Sequence, residues 1–149
     1  MVWAKSIDQQ LSDTQRHALD QKTQEQELKL YESALNAIKQ KQYKAALEQL
    51  SKFVELYPNS KHIPNSYYWM AEAHLLSQQH EQSEEALKHI LSQYPDHIKV
   101  PDVLHKLVML YSHKNQPDKA KQYYKQLQMS HEKSPAFVAA KKQFSHFST

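Results

Sequence analysis

Neither glycine nor cysteine occurs anywhere in this 149-residue sequence. Without glycine there is no Gly-rich phosphate loop, and no helix can end on the residue that turns left-handed most easily. Without cysteine there are no disulfides, thiol nucleophiles, lipidated cysteines or thiolate zinc sites. Long apolar runs are also missing, so no segment is expected to span a membrane. The opening MVWAKSIDQQLSDTQ has no continuous apolar stretch and does not read as an intact secretory signal. β-branched residues are sparse and no apolar/polar alternation persists, so no strands are expected.

The charge is unevenly spread. Beyond Asp102 eight lysines stand against Asp118 and Glu132, whereas acids slightly outnumber bases before that point. Such asymmetry can orient an acidic partner. Arg16 is the single guanidinium, so the lysines read as solvated helix faces and nucleic acid is not an expected partner.

Residues 1–27 are polar, with Ile7, Leu11, Thr14 and Ala18 at roughly heptad spacing. A frayed helix, a short coiled-coil stub able to form a homo-oligomer, and disorder all fit. From Leu28 onward apolar residues recur at i, i+3, i+4 and i+7, the mark of amphipathic helices. Helix pairs are expected over about 28–60, 64–97 and 101–132, followed by a closing helix over about 135–147. Phe137, Val138, Lys141, Phe144 and Phe147 supply the stripe of that last helix.

The pairs are copies. Ala34, Ala71 and Val108 fall 37 residues apart, as do Ala46, Ser83 and Ala120. Leu50, Leu87 and Tyr124 keep the same offset, and so do Phe53, Ile90 and Leu127. Pro58 matches Pro95, with Glu132 breaking that column, and Pro64 matches Pro101. A fixed period of this length marks a stack of helix-turn-helix units, with small residues where helices approach and large ones filling beside them. The order small, small, large, proline resembles the tetratricopeptide repeat. The expected fold is therefore an all-α tetratricopeptide-repeat solenoid of three units with a C-terminal capping helix. The longer period places the second proline in the link between units, where it would stiffen the connection.

YPNS at 57–60, YYWMAEA at 67–73 and the proline six residues past each Tyr-Pro carry a closer likeness. Over about residues 31–140 the chain resembles the CpoB (YbgF) family of the Tol-Pal system. That resemblance implies a periplasmic, noncatalytic protein that couples envelope constriction to cell-wall synthesis during division. It also implies TolA and a bifunctional penicillin-binding protein as partners, no cofactor, and a coiled coil for oligomer formation. The family has glycine where this chain has Ala71 and Val108, and in turns occupied here by Gln42, Gln79 and Gln116. Those turns must manage without glycine's left-handed ease, and Val108 implies a wider third unit. Assembly lipoproteins of the BamD type use similar YPNS repeats, but they start from a lipidated cysteine and carry more units.

In such stacks the first helix of each unit lines the inner face, where peptide segments bind. The inward columns are expected to be Tyr31, Tyr68 and His105, then Leu35, Glu72 and Met109, with Asn65 and Asp102 near the mouth. Trp69 and Lys106 share a neighbouring column with Glu32; Trp69 is either an anchor for a partner or filler between units. The ten histidines lack an H-E-x-x-H pattern and read as surface or half-buried residues, with no metal site. No G-x-S-x-G, P-loop or defensible Ser-His-Asp set is present, so no catalytic residues are assigned. Glu84 and Glu85 read as solvated charge on a second helix.

Overall fold

The computed structural model describes residues 12–148, and all regular structure among them is helical. Seven α-helices follow in order: α1 (Asp13–Lys39), α2 (Tyr43–Leu56), α3 (Ile63–Leu76), α4 (His80–Gln93), α5 (Val100–His113), α6 (Pro117–His131) and α7 (Pro135–Gln143). A 3-10 turn, Ser145–Ser148, ends the described chain. Each of the first six helices packs mainly on its neighbours in sequence, giving antiparallel pairs α1–α2, α3–α4 and α5–α6 stacked one after another. None of the helices is long and apolar enough to cross a membrane.

The copied columns form the spine. Ala34, Ala71 and Val108 are fully buried, as are Ala46 and Ala120, with Ser83 nearly so. Leu50, Leu87 and Tyr124, and Phe53, Ile90 and Leu127, fill the space beside them without exposure. Ser83 keeps its small-residue column because its hydroxyl donates to the Ala71 carbonyl at 2.8 Å, so no polar group is stranded there.

The turns inside the three pairs are identical, and they are left-handed. Lys41, Gln78 and Asn115 have φ of 60°, 63° and 55°. In each, the next residue's amide donates back to the helix: Gln42 to Ala37 O, Gln79 to His74 O and Gln116 to Tyr111 O, at 2.8–2.9 Å. The left-handed residue itself donates to Ile38, Leu75 or Ser112. This is the Schellman pattern, which satisfies the carbonyls freed at a helix end. The turns thus adopt the left-handed geometry without glycine, one position before the glutamines. Bonding at both ends of the turn offsets the steric cost of a Cβ there.

The links between pairs are copies as well. Tyr57 and Tyr94 donate to Phe53 O and Ile90 O; Ser60 and His97 then donate to the carbonyls of those tyrosines. The Ser60 hydroxyl accepts the His62 amide at 3.1 Å, and His97 Nδ1 accepts the Lys99 amide at the same distance. Pro64 and Pro101 stand inside the first turns of α3 and α5, not in the link as expected. That position suits proline, because the first-turn N–H has no helical acceptor.

The two ends of the stack differ. On α5, Val103, Leu107 and Leu110 are fully buried, and their counterparts on α3 are Ser66, Met70 and Ala73. The same positions of α1 are Lys29, Ser33 and Asn36, all exposed. A polar outer face of this kind is what a terminal unit requires. α1 also runs on towards the N-terminus across residue 27, with residues 13–26 exposed; Ser12 and Gln15 cap it reciprocally. Of the heptad positions, Ile7 and Leu11 lie outside the described residues, whereas Thr14 and Ala18 are exposed on α1. At the other end α7 and the 3-10 turn after it cover α5 and α6, with Phe137 and Ala140 from the helix, Phe144 at its C-cap and Phe147 from the turn. Val138 and Lys141, expected in that stripe, face outward, and Ala140 takes the buried place.

Candidate protein-binding surface

Three first helices, α1, α3 and α5, supply the residues expected on the inner face. Tyr68 and Glu72 of α3 meet Asp102 and Lys106 of α5. Lys106 pairs with Glu72, and both side chains are mostly covered. The Tyr68 ring lies beneath two ammonium groups, Lys99 at 5.0 Å and Lys106 at 5.4 Å, an arrangement favoured by the ring's negative face. Lys99 also stands 3.9 Å from Asp102. Burial raises the Tyr68 phenol well above its usual range, and the carboxylates of Asp102 and Glu72 push it further. It therefore stays a neutral hydroxyl at any physiological pH.

A second group gathers where α1 meets α3. Tyr31 stacks on His62 with ring centroids 4.5 Å apart and leans on Phe53. Burial raises its phenol too, while Trp69 and Asn65 beside the hydroxyl pull the other way. Trp69 meets Tyr68 edge-on at 5.5 Å and packs against the cluster of Tyr31, Phe53 and Ile63, with part of its surface open. Asn65 Oδ1 is buried and accepts no hydrogen bond from the described residues. Leu35 packs on the same cluster.

The third unit turns elsewhere. His105 Nε2 lies 3.2 Å from Gln143 Oε1 and its ring meets Phe144 of the capping segment edge-on. Met109 packs on the main core. The expected site residues therefore fall into two clusters, Tyr68–Glu72–Asp102–Lys106 and Tyr31–Asn65–Trp69, with His105 taken up by the cap.

One constellation was not expected. Glu84 of α4 is no solvated charge: it accepts from Tyr111, pairs with Lys114 at 2.9 Å and with Lys88 at 2.8 Å. Burial alone would raise its carboxyl, but bonds from Lys88, Tyr111 and Lys114 outweigh this and pull it down to about 2. Lys88, Lys114 and Lys119 all lie within 5.7 Å of the Tyr111 ring centroid. Only the Glu84–Lys88 spacing was visible beforehand, as an i, i+4 pair.

The histidines serve as packing and linking groups. His62 stacks on Tyr31, His89 tilts against Tyr67 with ring centroids 4.2 Å apart, and His97 holds a link. Among the described residues no three of His, Cys, Asp and Glu are grouped to hold a metal ion.

Comparison with known families bears on this stack of pairs directly. One tetratricopeptide-repeat family model matches residues 62–127, and a second matches residues 30–60. The chain carries a tetratricopeptide-repeat domain. The matched spans cover the first pair from residue 30 onward, then the second pair and most of the third. A search of curated proteins finds no match to the chain. A tetratricopeptide-repeat domain is a scaffold for protein–protein interaction, and this fold class is not one that catalyses.

Proposed function

We propose that this tetratricopeptide-repeat scaffold captures an extended or helical segment of another protein along α1, α3 and α5. The observation that carries the reading is the half-open aromatic pair Tyr68 and Trp69 of α3, which meet edge-on at 5.5 Å. Asn65 and Asp102 stand beside them with polar side chains that can bond the backbone of an incoming segment. Both rings are already packed, Trp69 over the buried Tyr31, Phe53 and Ile63, so they can grip apolar side chains with little loss of freedom. Asp102 and Lys106 extend the surface to the third unit.

The finer reading rests on the resemblance to the CpoB family, through YPNS, YYWMAEA and the spaced prolines. In it the protein works in the periplasm, binds a TolA-like protein and a bifunctional penicillin-binding protein, and coordinates envelope constriction with wall synthesis. The test is titration of the purified chain with each of those two proteins. Tyr68→Ala combined with Glu72→Ala, and separately Asn65→Leu, should weaken binding at least tenfold with helical content unchanged by circular dichroism. Tight binding that survives all three changes would remove the inner face as the site, and no binding by wild type would remove these partners.

A further inference from the structure

We infer that the groove beside the capping helix is a second docking surface, built for an acidic amphipathic segment of a partner protein. It lies outside α1, α3 and α5 and stands independently of the reading above. The groove encloses about 490 Å³ and is lined by Glu132, Phe137, Val138, Lys141, Lys142 and Ser145. Phe137 forms a nearly buried floor, and Val138 is half exposed on the wall. A β-branched apolar residue left open beside an aromatic floor can accept a leucine-sized side chain.

Charge selects the occupant. Lys141 and Lys142 rim the groove, and Lys133 is exposed in the turn that leads into α7. None of these three makes an ion pair among the described residues, whereas Lys88, Lys99, Lys106 and Lys114 all do. Glu132 is the single carboxylate on the rim. The last turn of α7 favours cations through its dipole, which explains lysines there but not the open apolar wall. Together the two features suit a helix with leucines on one stripe and glutamates flanking it.

The test uses the whole chain, isotope-labelled, and two synthetic helical peptides with leucine at i, i+3, i+4 and i+7. One peptide carries glutamate at its polar positions and the other lysine. The glutamate peptide should shift the amide signals of Phe137, Val138 and Ser145, and its affinity should fall at least tenfold in about 0.5 M salt. Lys141→Glu with Lys142→Glu should abolish the shifts, and Val138→Asp should weaken them, while signals of α1–α4 remain unchanged. Three results would overturn the inference: no shifts at the groove, equal binding of the lysine peptide, or wild-type self-association lost in the Val138→Asp variant. The last would make a second copy of the chain the occupant.

Discussion

Tyr111 of α5 donates its phenolic hydrogen bond to Glu84 of α4, tying the second pair to the third across 27 residues of sequence. The same carboxylate holds Lys88 and Lys114, so one acid anchors the joint between two units. Tyr111→Phe should cost roughly 1.5–3 kcal/mol in urea unfolding, the range for a bond to a charged acceptor.

That joint also sets an acid response. The Glu84 carboxyl is held at about 2, against an ordinary value of 4.5. Its contribution is therefore complete above pH 4.5 and is lost as pH falls towards 2. Wild type should lose more stability than Glu84→Gln over that window, measured as urea midpoints. Equal losses would show that Glu84 does not anchor the joint.

His97 puts a titratable acceptor where the first link uses the Ser60 hydroxyl. Its Nδ1 accepts the Lys99 amide and so must carry no proton, and burial with the nearby Lys99 lowers its pKa. Stability from this group is present above about 6.5 and declines as pH drops through the lowered value. His97→Ser places there the residue that the first link already uses. This variant should lose less stability than wild type as pH falls from about 7 to 5, read as urea midpoints. A parallel decline in both proteins would sink the assignment.

Left-handed residues without glycine leave room for improvement. Lys41→Gly and Gln78→Gly should each stabilise the fold by about 0.5–1 kcal/mol, since relief of Cβ crowding exceeds the added chain freedom. Asn115→Gly should gain less, because asparagine tolerates that conformation better. Thermal midpoints of the three variants check the order.

Small residues at the helix crossings admit no growth. Ala46→Leu and Ala120→Leu should each destabilise by roughly 1–3 kcal/mol through overpacking. Ser83→Ala should be nearly neutral, because the Ala71 carbonyl it releases belongs to an α-helix. Chemical denaturation separates these cases.

The stack itself was legible because its determinants recur. Ala34, Ala71 and Val108, or Phe53, Ile90 and Leu127, repeat both type and burial at one offset, and a repeat is a signal that single positions lack. The turns were harder to read, since lysine, glutamine and asparagine do not announce a positive φ as glycine does. Glu84 was misjudged because its partners Tyr111 and Lys114 come from the next pair, and pairing across units leaves no local spacing. Val138 looked like core because it neighbours Phe137. Only the register of a short helix against two others decides which of those two turns outward. The inner columns were placed from helix order alone, and the diversion of His105 to Gln143 depends on where the cap lands.

The exposed Lys29, Ser33 and Asn36 give α1 a polar outer face that offers no apolar seat to another helix pair. Head-to-tail fusion of two domains would give two separate rods on one chain, each melting as its own cooperative block. Recasting those three positions as valine, leucine and leucine, and deleting α7 from the leading copy, should weld the rods into one that melts once.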